Sequence, residues 1–389
     1  MAAETSTTMN GAPRAPLEGS RMAIKIASPI KGYRLGTMRT DAAMSGFVVA
    51  EDRRLSIEKV PELAGVLRWE KRPRPVGGNP SWTYMVYAPE GTFAVIVGHI
   101  EDNGHATPFE VWVPGDGPRG MSALAQSISM DMRTRDRGWL RMKLESLAKC
   151  PGESFVMTMP NGVETMIPGA VAAFARLILH RLEELGVFGH DDGGEHQLID
   201  ALMSKKEPKT TADGTLSWTV DVANLGTGDD FTMFLKEATL PNGQRRPFSL
   251  WLSGKYPRSL DGLCKSLSLD MRIVDAGWVL KKLVQLSDVA EPNGGFLAQV
   301  PGTEKSAWYP SAVAYIAALV KHHFKVLGYC DERGKPVGKT VLSVIENIKH
   351  RHDAEVKQGK NCSECGGIAT VVSQSGCDVC VACSASRCG

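Results

Sequence analysis

The chain has 389 residues, 43% of them hydrophobic and 23% charged, with a formal net charge of +2. That is ordinary globular composition, long enough for two or three domains, and so near neutrality that a nucleic-acid partner has to be argued from a local patch. No apolar run reaches the roughly 18 residues of a spanning helix, and the polar start, Met1 to Ser20, lacks the apolar centre of an export signal, which predicts a cytoplasmic protein without a membrane partner.

Residues 1–22 read as a disordered leader rich in Thr, Ser, Ala and Pro. Residues 23–190 read as a first α+β unit with an N-terminal extension. Trp82 to Tyr87 and Phe93 to Val97 form a hairpin about a Pro-Glu-Gly turn, and Phe109 to Val113 alternates as a third strand. The period then becomes helical at Met121, Leu124, Ile128, Met132 and Trp139. A second hairpin, Ser154 to Met159 and Val163 to Ile167, turns at Pro160-Asn-Gly162. Pro168 then opens a last helix that stops at Leu185-Gly186.

Residues 191–214 read as a linker, after which residues 215–333 repeat the scheme. The stretch Ser127 to Trp139 recurs as Ser266 to Trp278, 139 residues on, with Ser, Ser, Asp, Met, Arg, Asp, Gly and Trp in the same places. Phe109/Phe248 and Trp112/Trp251 keep that spacing, and Pro168/Pro310, His180/His322 and Gly186/Gly328 continue the match after a short insertion. Leu260, Leu263, Leu267, Met271, Val274 and Trp278 lie on one face of a single helix, with Gly138 and Gly277 marking a kink or a close contact. The four tryptophans read as core, the histidines as core or helix-end residues. Arg133/Asp136 and Arg272/Asp275 suit i, i+3 ion pairs at a pseudo-symmetric contact. The fold class is α+β: two pseudo-symmetric repeats, each an antiparallel sheet with helices on one face, plus a small C-terminal zinc-ribbon-like tail.

Residues 334–361 form a helical, charged tether, and residues 362–389 the cysteine-rich tail. Six of the nine cysteines lie between Cys362 and Cys388, which argues for metal or redox chemistry in a reducing compartment. The pairs Cys362/Cys365 and Cys380/Cys383 have the spacing of four thiolates around a tetrahedral Zn2+. Cys377/Cys380 could replace the second pair. The first assignment leaves Cys377 and Cys388, either spare thiols or a dithiol able to exchange with a disulfide elsewhere. Cys380 and Cys383 could exchange roles with them.

The tail pattern Cys-x-x-Cys-Gly…Gly-Cys-x-x-Cys-x-x-Cys-x-x-Ser-x-Cys resembles the C-terminus of adenosylcobalamin-dependent (class II) ribonucleotide reductases. The second unit resembles the domain before that tail, at Arg246 to Leu252, Leu263 to Trp278, Pro292-Asn-Gly-Gly295 and Tyr309 to Ile316. Ser363 stands where the family usually has Pro, and Ser384 where it usually has Gly. The catalytic barrel has no counterpart here. The resemblance implies the non-barrel component of a split reductase, supporting ribonucleoside-diphosphate reduction for DNA synthesis and not catalytic alone. It further implies a partner barrel subunit holding adenosylcobalamin, a redox shuttle at Cys377 and Cys388, and recharging by a thioredoxin or glutaredoxin system.

No Walker-type loop, dinucleotide fingerprint or His-Glu-x-x-His helix occurs. The alternative is a zinc-ribbon binding module for nucleic acid or a protein partner, with the basic stretch Lys349 to Lys360 on phosphates.

Overall fold

The computed structural model describes residues 67–337, with breaks at 103, 115–116, 190–195, 205, 208–209, 211, 213 and 240–243, and the backbone of three tail strands at 371–374, 377–380 and 386–388. The leader, most of the extension and most of the tether lie outside the described residues.

The fold is α+β. The first half runs β1 (Ser81–Ala88), β2 (Gly91–Asp102), β3 (His105–Trp112), α1 (Met121–Met132), α2 (Arg137–Leu147), β4 (Phe155–Thr158), β5 (Glu164–Ile167) and α3 (Ala170–Glu184). A short helix α4 (Gln197–Asp200) follows. The second half runs β6 (Ser217–Asn224), β7 (Asp229–Thr239), β8 (Arg245–Lys255), α5 (Ser259–Met271), α6 (Ala276–Leu286), β9 (Phe296–Gln299), β10 (Ser306–Tyr309) and α7 (Ala312–Val326). Each half has a three-stranded antiparallel sheet and a separate two-stranded hairpin. The tail strands β11 (Val371–Gln374), β12 (Cys377–Cys380) and β13 (Ser386–Cys388) form another antiparallel sheet.

Helix is fastened to sheet in the same way twice. Ser129 Oγ on α1 accepts from Val111 N at 2.9 Å, and Ser268 Oγ on α5 accepts from Leu250 N at 2.9 Å. Each serine also donates to the carbonyl four residues back, Ala125 and Cys264, so its hydroxyl bridges helix and strand without leaving a buried group unpaired. The apolar stripe of α1 closes over Val95, Val97 and Val111, and that of α5 over Met233, Leu235 and Leu250.

Four sequence expectations need correction. The stripe from Leu260 to Trp278 is two helices, and so is its counterpart. Asp136 and Asp275 have extended backbone and cap new helices, accepting from Trp139 N and Gly277 N respectively, both at 2.8 Å. At the first of the expected i, i+3 ion pairs capping takes the carboxylate instead: Asp136 also accepts from Leu198 N at 2.8 Å and Ile199 N at 3.1 Å. Trp112 and Trp251 are not core, being 51% and 53% exposed, because each follows an inward residue, Val111 or Leu250, and strand alternation turns it outward. Pro168 and Pro310 stand just ahead of the caps Gly169 and Ser311, not in the first helical turn. The two Leu-Gly stops do end helices, with Gly186 and Gly328 at φ 68° and 82°.

The segment after α4 is packed between the halves. Leu202 bridges Ile273, Met203 N donates to Arg272 O at 2.8 Å, and Leu198 and Leu202 are buried against Trp139 and Trp278. Leu67 bridges Thr134 in the matching position of the first half, with Arg68 N donating to Arg133 O at 2.8 Å. Among the described residues no helix is long and apolar enough to cross a membrane.

Candidate functional site

Helices α1 and α5 meet where Ser127 and Ser266 place their hydroxyl oxygens 3.3 Å apart. One turn further on, Asp131 and Asp270 lie between Lys143 of α2 and Lys282 of α6. Lys143 Nζ is 3.0 Å from Asp131 Oδ2 and 2.8 Å from both oxygens of Asp270. Lys282 Nζ is 2.7 Å from both oxygens of Asp131 and 3.1 Å from Asp270 Oδ2. Trp139 Nε1 donates to Asp131 Oδ1 at 2.8 Å, and Trp278 Nε1 to Asp270 Oδ1 at 2.7 Å. All four charged side chains are at most 1% exposed.

Burial alone would raise the Asp131 pKa, but the Lys143 and Lys282 ammonium groups more than reverse it and hold the carboxyl below its ordinary value. Burial likewise disfavours the Lys143 ammonium, and the two aspartates outweigh that and hold its pKa above the ordinary value. Two cations and two anions, mutually hydrogen-bonded and sealed from solvent, have no route to a substrate. What the arrangement can do is fix register: slide one half by a residue and four charges lose their partners in a dry interior. At the rim, Arg119 grips Asp229 with two parallel bonds of 2.8 and 2.6 Å, a second ionic tie between the halves.

The sequence reading missed the lysines. Lys143 and Lys282 stand four residues after Trp139 and Trp278, on the same helix face, and keep the 139-residue spacing of their aspartates; that spacing was the available signal. The histidines have structural partners: His323 Nε2 lies 2.7 Å from Glu237 Oε1 and stacks on Trp218, and His180 lies 3.1 Å from Glu184. Cys150, Cys264 and Cys330 are free and buried, and burial raises all three thiol pKa values, which disfavours the thiolate needed for nucleophilic exchange.

In the tail, β12 pairs with β13 so that Cys377 stands opposite Cys388, while Cys380 at the far end of β12 stands opposite Val371 of β11. Of the expected metal ligands, Cys380 lies on a described strand, whereas Cys362, Cys365 and Cys383 lie outside the described residues. Among the described residues no group of three or more His, Cys, Asp or Glu could hold a metal ion. Compared with protein-family models, curated proteins and solved structures, the chain matches none.

Proposed function

We propose that the chain is the non-barrel component of a split, adenosylcobalamin-dependent ribonucleotide reductase, delivering reducing equivalents through its C-terminal thiols to a separately encoded catalytic barrel. The observation that carries this reading is the register of Cys377 against Cys388. Directly opposed residues of an antiparallel pair have Cα atoms roughly 4.5–5.5 Å apart, inside the roughly 4.4–6.8 Å range of disulfides. The two cysteines left over by the zinc-ribbon assignment are thus the two that strand pairing sets side by side, while Cys380 stands opposite Val371.

The exchange balances. A thiolate of the Cys377/Cys388 pair attacks a disulfide of the catalytic subunit, forming a mixed disulfide and releasing one partner thiol. The second tail thiolate then displaces the other partner thiol. Two electrons pass to the partner, the tail is left as a Cys377–Cys388 disulfide, and a thioredoxin or glutaredoxin reduces it again. Zn2+ held by Cys362, Cys365, Cys380 and Cys383 would supply the folding free energy that a cysteine-rich segment this short lacks. The compartment is the reducing cytoplasm, where such thiols stay available.

We further read the two halves as pseudo-symmetric copies of one unit. The equal element order, the Ser127–Ser266 contact and the reciprocal Lys–Asp pairs support an isologous contact about a pseudo-twofold axis.

The test is co-purification of the full chain with a cobalamin-dependent catalytic chain encoded beside it. A stoichiometric complex, with dithiol-driven nucleotide reduction in the mixture and none from either chain's omission, supports the reading. A chain that ignores the catalytic subunit and instead binds nucleic acid with an affinity falling steeply in salt contradicts it.

A further inference from the structure

A cleft of about 1110 Å³ opens where the first half meets helix α6 of the second, among the segment before β1, the end of β3 and helix α1, with Arg72, Arg74, Arg133, Lys281, Phe109 and Trp112 in its wall. Arg133 is only 8% exposed. Its Nε donates to Ser129 O at 3.3 Å, and among the described residues its two terminal nitrogens make no hydrogen bond and have no carboxylate oxygen within 4.0 Å. A guanidinium this buried, lining the cleft with its fork unpaired among the described residues, offers its terminal N–H groups to a ligand.

The second half contains the match. Arg272, the equivalent of Arg133, has Nη2 3.8 Å from Glu207 Oε2, and Glu207 Oε1 also accepts from Lys236 Nζ at 2.9 Å and from Trp251 Nε1 at 3.3 Å. Glu207 follows Leu202 by five residues, and Leu202 makes the bridge to Ile273 that Leu67 makes to Thr134. Five residues after Leu67 stands Arg72. The charge at that position is therefore reversed. Where the second half puts a carboxylate beside its arginine and its outward indole, the first half puts another cation, with its guanidinium 5.5 Å from the Trp112 ring centroid and paired to Glu110 at 3.1 Å.

We propose that this cleft binds an external anion in the place that the Glu207 carboxylate takes in the second half, and that the ligand is a nucleoside phosphate with its phosphates on Arg133, Arg74 and Lys281 and its base against Trp112. Cations outnumber carboxylates in the wall, where Glu70 and Glu110 are the acids, so a multiply charged group fits better than a single carboxylate. The half-exposed indole offers a planar ring a stacking surface. The volume lies just above the roughly 300–1,000 Å³ of small-molecule sites, and a chain of net charge +2 provides no general basic field for a long strand. The inference does not draw on the thiol-delivery reading, and its test uses no catalytic partner.

Calorimetric titration of the full chain with ATP, inorganic tripolyphosphate and a single-stranded oligothymidylate decides it. ATP should bind saturably at one site, and more tightly than tripolyphosphate. The variant Arg74→Ala with Lys281→Ala, both outside the buried core, should weaken ATP by about tenfold or more, and Trp112→Ala should bring ATP down to the level of tripolyphosphate. Unchanged circular dichroism in the variants ties the loss to the cleft. No saturable heat with ATP, binding indifferent to all three substitutions, or tighter binding of the oligothymidylate than of ATP would each overturn the proposal.

Discussion

Lys143 Nζ lies 2.8 Å from both carboxylate oxygens of Asp270, although 127 residues separate the two in the chain. Lys282 returns the contact to Asp131 at 2.7 Å. Each half thus supplies a cation to the other half's anion, and the helices α1, α2, α5 and α6 are held in one register by a four-charge group that water does not reach.

Removing one member should cost more than the quartet contributes as a whole. Lys143→Met leaves two buried carboxylates sharing Lys282 and should lower stability by about 3–5 kcal/mol. Adding Asp270→Leu restores the balance of one cation to one anion and should recover most of the loss. Urea denaturation of the two variants measures both steps; a double variant no better than the single would mean that packing, not charge, is what Lys143 provides.

The quartet also sets an acid limit. Asp131 has its folded pKa below the ordinary carboxylate value, so its contribution to stability is fully present above the unfolded value and is lost as pH falls through the folded one. Stability should therefore drop as pH falls below about 4. A charge-free core carrying Asp131→Leu, Asp270→Leu, Lys143→Met and Lys282→Met should lose less over the same interval. Denaturation midpoints from pH 5 to 2.5 check this, and identical slopes would contradict it.

Arg246 is a second buried anchor. It donates to the carbonyls of Met271, Ile273 and Val274, the loop between α5 and α6, with 2.7 Å to Val274 O. Among the described residues no carboxylate is in contact with its charge, and burial lowers its pKa. Arg246→Met leaves those carbonyls without their donor and should destabilise by about 2–4 kcal/mol. Hydrogen exchange should accelerate first at residues 272–278. Wild-type protection there would show that the loop holds itself.

Reduced protein should carry about one zinc ion, bound through the tail thiols. Chelation should leave the near-ultraviolet signal of the buried Trp139 and Trp278 unchanged, since the cores around them are assembled from side chains alone. Loss of that signal on chelation would tie the metal to the main body instead.

The hairpins and the last helix of each half were legible in the sequence because they are local: alternation, a turn and a glycine stop suffice. The break between α1 and α2 was not. Asp136 and Asp275 suit both an ion pair and a helix cap, and only the arrival of Leu198 and Ile199 on the Asp136 carboxylate decides for the cap at that site. Trp112 and Trp251 looked like core because large aromatics usually are; one step of strand parity sent them outward. Lys143 and Lys282 were invisible for the opposite reason, since a lysine on a helix is normally solvated and their partners lie across the two halves. The tail cysteines stood out by spacing alone, which left Cys377 and Cys388 over from the four expected ligands; that the two stand opposite each other needed a strand register.

The direct test of thiol delivery is a turnover assay with the catalytic partner, using the full chain with Cys377→Ser and Cys388→Ser. Multiple turnovers driven by a thioredoxin system should collapse, a single turnover from pre-reduced catalytic subunit should survive, and zinc content should stay as in wild type. Unaltered multiple turnover would contradict the account and remove the shuttle from these two cysteines.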